Sequence, residues 1–347
     1  MTSENQFYPF SAIVGQVDMK DAILANIVNP SIGGILIRGE KGTAKSTTVR
    51  AVADLLPERE VIKGCIFRCS LADNRNLCES CRETIATGEK PETEPVRMRV
   101  VELPLCATED RVAGTLDIEH AITRGQRKFE PGVLAMANGN ILYVDEVNLL
   151  DDHIVDLLLD AAAMGVNFVE REGISYSHPA RFMLVGTMNP EEGDLRPQLL
   201  DRFGLVVDVE GERDTARRSD VVKRRLAFER DPVAFCKKYA PDQQAIRDRI
   251  LAAKKIMAGI GADDRLIDTA IRVSLTLGVD GHRADLTLVK TALAFAALDG
   301  QEEVKREHVL KAAGLALPHR MRRRPFEESR ADLGAIKTLI GECYSNP

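Results

Sequence analysis

Two stretches of sequence decide the fold: Gly39-Glu40-Lys41-Gly42-Thr43-Ala44-Lys45-Ser46 and, farther along the chain, Ile141-Leu142-Tyr143-Val144-Asp145-Glu146. The first is a glycine-rich turn that follows the apolar run Ile35–Ile37 and precedes the helical run Thr47–Leu56. The second is an apolar run that ends in two carboxylates. A strand, a glycine-rich loop and a helix in this order form the context that a phosphate-binding loop requires.

The residue types in these stretches fit the chemistry of nucleotide hydrolysis. Backbone N–H groups of the loop and of the helix N-terminus would cradle phosphate oxygens, and Lys45 would reach the β- and γ-phosphates. Ser46 and, directly or through water, Asp145 would hold Mg²⁺, while Glu146 would polarise the attacking water. The pattern therefore indicates a P-loop NTPase. Ala44 stands where the motif has glycine, and its methyl group costs little if the backbone there is helix-like.

Composition limits the class of protein. At 347 residues the chain is long enough for two domains with separate cores. The net charge of −6 gives no global attraction to nucleic acid or to anionic membranes. No stretch approaches a transmembrane helix, and the N-terminus lacks the basic-then-apolar order of a signal peptide. We therefore expect a cytoplasmic protein that neither inserts into membranes nor binds nucleic acid.

The seven cysteines are unevenly distributed. Cys65, Cys69, Cys78 and Cys81 lie in one short segment with the spacing C-x3-C-x8-C-x2-C, and such thiolates can close a tetrahedral zinc site. The surrounding segment is polar and could hardly bury a core of its own, so a metal would explain how it is ordered. Reduced thiols in a mobile insertion, a redox pair and an iron–sulfur site are the alternatives.

Apolar runs and helical stretches alternate over the first part of the chain, which predicts an α/β fold with a parallel sheet covered by helices. The predicted strands are Ile35–Ile37, Val100–Leu103, Ile141–Val144, Phe182–Val185 and Leu205–Val209, with a β-hairpin inserted over Val166–Val169 and Ile174–Tyr176. From Glu212 onward only helical spacing is found, in Ala245–Met257, Asp264–Leu277, Leu286–Leu298 and Arg306–Ala316. We therefore expect a nucleotide-binding domain over residues 1–211, with a cysteine-containing insertion at 65–95, and an all-helical domain over 212–347.

Three longer stretches resemble the AAA+ ATPase subunit, the I subunit, of magnesium chelatase. They are Ile141–Asp152, Val169–Ile174 and Asn189–Gly204. The resemblance extends from Ile13-Val14-Gly15-Gln16 to Leu317-Pro318-His319-Arg320, which is nearly the whole chain. It implies an AAA+ P-loop core with an inserted hairpin and a C-terminal helical domain.

The same resemblance implies roles for individual residues. Asn189 matches the polar sensor of the γ-phosphate, and Arg202 matches the arginine finger that reaches into a neighbouring subunit, with Arg196 as the alternative. Arg283 matches the second sensor, an arginine of the helical domain that touches the nucleotide. The implied nucleotide-binding residues are Val14, Gly15 and Gln16 beside the adenine, Gly39, Glu40, Lys41, Gly42, Thr43, Ala44, Lys45, Ser46 and Thr47 in the loop, and Arg283.

A subunit of this family would hydrolyse ATP to drive Mg²⁺ insertion into protoporphyrin IX in tetrapyrrole biosynthesis. The resemblance implies a homo-oligomeric ring, a hexamer, that works with a larger AAA+ subunit carrying an integrin-I-like domain and with a large porphyrin-binding subunit. An ATPase associated with cobaltochelatase in corrinoid synthesis and a MoxR-like AAA+ chaperone for metalloenzyme maturation are the alternatives. A nucleic-acid motor fits less well, because the chain is acidic and shows no separate DNA-binding module.

Overall fold

The computed structural model describes residues 7–56, 58–73, 76–117, 128–171, 174–279, 281–321 and 333–345. The chain divides into two compact units, a terminal unit made of Met1–Ala44 with Asp194–Pro347 and a central unit, Lys45–Gly193. Within the ranges given above, no helix combines the length and the apolar composition that crossing a membrane requires.

The secondary structure alternates strands and helices up to Val209 and is helical after it. The strands are β1 Ile35–Gly39, β2 Arg59–Ile62, β3 Thr93–Val96, β4 Val100–Leu103, β5 Gly114–Asp117, β6 Lys128–Pro131, β7 Ile141–Val144, β8 Val166–Arg171, β9 Ile174–Pro179, β10 Met183–Met188 and β11 Leu205–Val209. The α-helices are α1 Val17–Val28, α2 Lys45–Val52, α3 Glu79–Ala86, α4 Glu109–Ala113, α5 Val133–Ala137, α6 Asp152–Met164, α7 Pro197–Leu200, α8 Thr215–Arg230, α9 Pro232–Met257, α10 Asp264–Thr276, α11 His282–Leu298, α12 Arg306–Ala316 and α13 Leu333–Ser345.

The central unit is built on parallel strands. β7 pairs in parallel with β4 on one side and with β10 on the other. Every residue of β7 and β10 is buried, which is the pattern of strands covered on both faces. α6 contributes a buried face that includes Ile154, Val155 and Leu158. The expected parallel sheet covered by helices is therefore confirmed.

Antiparallel hairpins complete the central unit. β8 pairs with β9 as the inserted hairpin that the sequence predicts, and its turn, Glu172–Gly173, lies outside the described residues. β2 pairs with β3 and β5 pairs with β6, and neither hairpin is expected from the sequence. β3 is exposed and contains Pro95, so its sequence carries no strand-like alternation.

In the terminal unit β1 pairs in parallel with β11, from Ile35 opposite Leu205 to Gly39 opposite Val209. The buried face of α11, which includes Leu288, Ala292 and Phe295, packs with α1, α9, α10 and α12. The expected helical character of the C-terminal region is confirmed, since every element described after Val209 is a helix.

Several helices of the terminal unit differ from the sequence-based expectation, α8 and α9 among them. α8 is not predicted because it has no buried residue and hence no apolar stripe. α9 begins at Pro232 and not at Ala245, because the Asp231 side chain accepts a hydrogen bond from Ala234 N and caps the first turn. The helix then continues through Pro241, although a proline in a sequence usually indicates the end of a helix.

Candidate functional site

The glycine-rich loop lies between the end of β1 and the first residue of α2, as the sequence predicts. Gly39 is fixed by close packing, because a Cβ there would collide with the Val209 carbonyl oxygen on β11. Gly42 has a φ of 84°, which favours glycine, and Thr43 Oγ1 donates to the Glu40 carbonyl at 2.9 Å. Lys45, Ser46 and Thr47 form the first turn of α2.

Ala44 adopts a left-handed backbone conformation, with φ at 63°. The condition under which its methyl group would cost little, a helix-like backbone angle, is therefore not met. A left-handed conformation costs an L-residue about 1–2 kcal/mol relative to glycine. The loop is therefore strained at the residue that immediately precedes Lys45, and such strain persists only where surrounding contacts impose it.

The second motif places its carboxylates where a strand ends. Asp145 and Glu146 directly follow β7, and Asp145 is exposed while Glu146 is half-buried. Glu146 has a φ of 51°, and its backbone N–H donates to Thr187 Oγ1 at 3.3 Å. This left-handed residue ends the extended backbone of the strand directly after Asp145.

A hydrogen-bonded group of four side chains joins the two motifs within the central unit. The Tyr143 hydroxyl lies 2.9 Å from Ser46 Oγ and 2.8 Å from Asp145 Oδ1. Thr187 Oγ1 donates to the same Asp145 oxygen at 2.5 Å. Burial raises the pKa of Tyr143 to about 12, so the phenol stays protonated and can donate. The hydroxyl and carboxylate expected to bind Mg²⁺ are thus brought together by two residues to which the sequence assigned no role.

Asn189 follows β10 directly and is buried. Its side-chain oxygen accepts from Glu191 N at 3.2 Å and caps the short 3-10 helix Pro190–Glu192. Because β7 and β10 are parallel, Asn189 and Asp145 leave the same edge of the sheet. Asn189 therefore occupies the position expected for a sensor and also shapes the turn that follows it.

The four clustered cysteines converge in the central unit. Their sulfur atoms all lie within 4.8 Å of one another, and Cys65 Sγ and Cys78 Sγ are 3.8 Å apart. A tetrahedral site with zinc–sulfur bonds of about 2.3 Å would separate its sulfurs by about 3.8 Å. Hydrogen bonding to Cys69 holds the pKa of Cys65 far below the ordinary thiol value, and burial raises the pKa of Cys81 to about 12. The donor set fits Zn²⁺.

The cysteine cluster is also the centre of a small core. It packs with Ile62, Phe67, Leu77 and Ala135, and with Ile85, Phe129 and Tyr176 at its margin. Phe67 stacks on His178 with ring centroids 4.9 Å apart, and Phe129 stacks on Tyr176 at 4.5 Å. Phe129 belongs to β6, and Tyr176 and His178 belong to β9. The cluster therefore joins the cysteine segment to two hairpins, and the segment is packed where its sequence indicated only a polar insertion.

The remaining predicted residues lie in the terminal unit. Val14, Gly15 and Gln16 precede α1, and both Gly15 and Gln16 have left-handed backbones, with φ at 62° and 50°. Gln16 Nε2 donates to the Glu210 carbonyl at 3.0 Å, just beyond the end of β11. This contact holds the segment expected to face adenine.

Arg202 lies in the turn between α7 and β11, next to Asp201. Arg196 lies at the N-cap position of α7, where its side chain makes no capping hydrogen bond, and it is exposed. The Asp201 carboxylate accepts from Arg283 Nη1 at 2.8 Å and from Arg320 Nε at 3.1 Å. The structure thus joins Arg283, the expected second sensor, to the neighbour of the expected finger, and adds Arg320, to which the sequence assigned no role.

Comparisons with known proteins agree with one another. The family model described as magnesium chelatase, subunit ChlI, matches residues 115–197, and the AAA lid domain model matches residues 267–337. The chain is 55% identical over 335 residues to the magnesium-chelatase subunit ChlI homolog of Methanocaldococcus jannaschii, covering 96% of this chain and 91% of that protein. It is 50% identical over 321 residues to the magnesium-chelatase 38 kDa subunit of Chlorobaculum parvum, covering 92% and 93%.

A solved structure also matches. It is a chain from the complex between subunits BchI and BchD of magnesium chelatase, obtained by single-particle cryo-EM, with a TM-score of 0.54 and 48% sequence identity. The match covers 92% of this chain and 98% of that chain.

The strain at Ala44 yields a prediction about stability. Replacing Ala44 by glycine removes the left-handed penalty but adds unfolded-state entropy, so we expect the free energy of unfolding to rise by about 0.5–1 kcal/mol. Ala227→Gly, at an exposed position inside α8, is the matched control and should lower it by about 1 kcal/mol. Urea unfolding of the three proteins measures both changes. A loss of stability in Ala44→Gly equal to that of the control would contradict the left-handed conformation.

Proposed function

Because the chain belongs to the family of magnesium chelatase, subunit ChlI, we propose that it is the ATP-hydrolysing motor subunit of a magnesium-chelatase-type complex. The complex drives insertion of Mg²⁺ into protoporphyrin IX. The observation that carries the proposal is the hydrogen-bonded group of Ser46, Tyr143, Asp145 and Thr187, with Glu146 at the same strand end. This arrangement provides a hydroxyl and a carboxylate that can bind the metal, and a second carboxylate that can position water. Phosphoryl transfer to water requires groups of these kinds.

In this proposal the loop Gly39–Thr47 binds the phosphates, with Lys45 on the β- and γ-phosphates, while Val14–Gln16 and Arg283 contact the rest of the nucleotide. Ser46 and Asp145 would hold the Mg²⁺ that accompanies ATP, because their oxygen atoms are the kind of ligand that Mg²⁺ prefers. When bound there, the ion would neutralise charge that develops on the phosphates. Glu146 orients water, and Asn189 senses the γ-phosphate from the end of β10.

Assembly follows from the arginine finger. Arg202 is proposed to act on the nucleotide of a neighbouring subunit, which requires a ring, and we propose a hexamer.

The nucleotide-binding domain spans 1–211, with the insertion at 65–95, and the helical domain spans 212–347. The larger chelatase subunit is the proposed partner. This proposal is supported by the similarity of this chain to one chain in the complex between BchI and BchD. A large porphyrin-binding subunit completes the complex.

We also propose that the cysteine cluster holds one structural Zn²⁺. Four thiols from Cys65, Cys69, Cys78 and Cys81 fill a tetrahedral shell and leave no open position for catalysis. The cluster lies among hairpin residues and not among the side chains that surround Ser46 and Asp145. The ion would supply local stability to a segment with few apolar residues.

The assignment of the hydrolytic residues is tested by separating binding from turnover. We expect Glu146→Gln to bind ATP with near-normal affinity and to lose hydrolysis, because its carboxylate orients only water. We expect Lys45→Ala to weaken binding itself, because the ammonium contacts the phosphates. Nucleotide affinity and phosphate release are measured for both variants. Wild-type turnover in Glu146→Gln would refute the role of this residue.

The role of Tyr143 gives a separate prediction about metal dependence. Tyr143→Phe leaves Ser46 and Asp145 in place but removes the hydroxyl between them, so the Mg²⁺ concentration for half-maximal turnover should rise about tenfold. Thr187→Val removes the other donor to Asp145 and should also raise the Mg²⁺ concentration for half-maximal turnover. Tyr239→Phe, on α9, is the control. An unchanged Mg²⁺ dependence in both variants would show that these hydrogen bonds do not orient the ligands.

The zinc proposal predicts metal content. Untagged protein purified under reducing conditions without chelators should contain about one zinc per chain, since four thiolates make one closed site. Cys78→Ser/Cys81→Ser should lose the metal and keep ATP hydrolysis. Cys106→Ser/Cys343→Ser, which changes cysteines outside the cluster, should keep both. Metal-free wild-type protein would point instead to free thiols.

A further inference from the structure

The Arg320 side chain donates hydrogen bonds to the turn Asp201–Gly204, which lies more than a hundred residues earlier in the chain. Arg320 ends the 3-10 helix Pro318–Arg320 that follows α12, and its side chain is 2% exposed. Nε donates to Asp201 Oδ1 at 3.1 Å, Nη1 to the Gly204 and Ala316 carbonyls at 3.1 and 2.5 Å, and Nη2 to the Asp201 and Phe203 carbonyls at 3.0 and 2.7 Å.

Such an arrangement depends on arginine. Burying a guanidinium is costly, and here burial lowers the pKa of Arg320. The cost is offset because the planar group directs its donors in fixed directions, and the backbone carbonyls lie where those donors point. A lysine would keep the positive charge, but its single ammonium could not hold the same set of carbonyls.

The carbonyls that Arg320 holds flank Arg202 on both sides. Asp201 precedes Arg202 and Phe203 follows it, and the Phe203 side chain is fully buried. His319 Nε2 also lies 3.2 Å from the Phe203 carbonyl. Gly204 packs so closely on the Ile32 carbonyl that a Cβ there would collide with it. The backbone on either side of Arg202 is therefore fixed, while the Arg202 side chain is only half-buried.

Asp201 connects this turn to the expected second sensor. One carboxylate oxygen accepts from Arg320 and the other accepts from Arg283, at the start of α11. The contact with Arg283 is largely exposed, so water weakens it, whereas the contact with Arg320 is sheltered on the arginine side. The firm support of the turn therefore comes from Arg320.

We propose that Arg320 is a positioning residue for the arginine finger, holding the backbone of Asp201–Gly204 so that Arg202 is presented to the neighbouring subunit. The inference rests on the proposed role of Arg202 in trans. Arg320 itself touches no nucleotide in this scheme. Loosening the turn misplaces the finger, and a misplacement of about 1 Å can reduce turnover about a hundredfold.

The test uses mixed rings. Arg320→Lys alone should bind ATP normally and hydrolyse it about a hundredfold more slowly. Arg320→Lys subunits are then mixed in equal amounts with Glu146→Gln subunits, which keep an intact finger. The turnover of each Arg320→Lys site should rise to as much as half the turnover of a wild-type site. The reason is that half of those sites then have an intact finger beside them. Mixed assembly is verified by native mass spectrometry, and folding by circular dichroism and the thermal midpoint.

Arg202→Ala mixed in the same way is the reference, and Arg249→Lys is the matched control. Arg249 also donates to a backbone carbonyl and an aspartate, Leu298 and Asp299, away from the turn, so its variant should keep wild-type turnover. If Arg320→Lys does not fold, His319→Leu removes only the contact with Phe203 and should show a smaller defect with the same rescue.

The outcomes separate the two claims. Rescue of both Arg202→Ala and Arg320→Lys supports the inference. Rescue of Arg202→Ala without rescue of Arg320→Lys means that Arg320 serves its own subunit, which overturns the inference and leaves the finger assignment standing. Rescue of neither removes the finger assignment and the inference with it. Normal turnover of Arg320→Lys alone also overturns the inference.

Discussion

Parallel pairing of β7 with β10 aligns Ile141 with Met183 and Val144 with Gly186, and the chemistry of the central unit depends on this register. The alignment puts Asp145 beside Thr187, so that the threonine can donate to the carboxylate. A shift of one residue would turn Thr187 to the other face of the sheet and remove that contact. Tyr143 lies on the same face as Asp145, two residues earlier in β7, and its hydroxyl reaches Ser46.

Of the four described non-glycine residues with a left-handed backbone, three lie in segments assigned to nucleotide chemistry and one, Arg68, lies in the cysteine segment. Ala44, Glu146 and Gln16 all have left-handed φ values without being glycine, and each lies where a strand or loop turns into a functional segment. Strain of this kind is retained where neighbouring contacts fix the backbone, and it places a group before the ligand arrives. The hydrogen bonds from Glu146 N to Thr187 and from Gln16 to Glu210 are contacts of that type.

Each unit fixes an irregular segment with polar groups and not with apolar packing alone. In the central unit, the clustered thiols of a polar segment pack in a small core next to Phe129, Tyr176 and His178. In the terminal unit, the guanidinium of Arg320 donates hydrogen bonds to backbone carbonyls of the turn Asp201–Gly204. A short turn has too little apolar surface to be ordered by burial, so directional bonds to one buried group are an effective way to fix it.

The sequence by itself determined the parallel α/β core, the helical C-terminal region, the position of the glycine-rich loop between β1 and α2, and the position of Asp145–Glu146 after β7. Strands Val100–Leu103, Ile141–Val144 and Leu205–Val209 and helix Arg306–Ala316 match their predicted bounds, because local hydrophobic periodicity carries this information. Helix α8 was missed because it buries nothing, and β3 because it is exposed and contains proline. The roles of the individual site residues, the zinc ion and the domain bounds stay predictions.

Only the tertiary structure decided which residues support the site. The spacing of Tyr143 two residues before Asp145 was a visible signal, but the link to Ser46 and Thr187 needed the strand register. Arg320 gave no signal, since its partners in the turn Asp201–Gly204 lie more than a hundred residues earlier in the chain. The left-handed angle at Ala44 was equally hidden. Local pattern encodes which elements form, whereas contacts between residues distant in sequence depend on how those elements pack, and no local pattern records that.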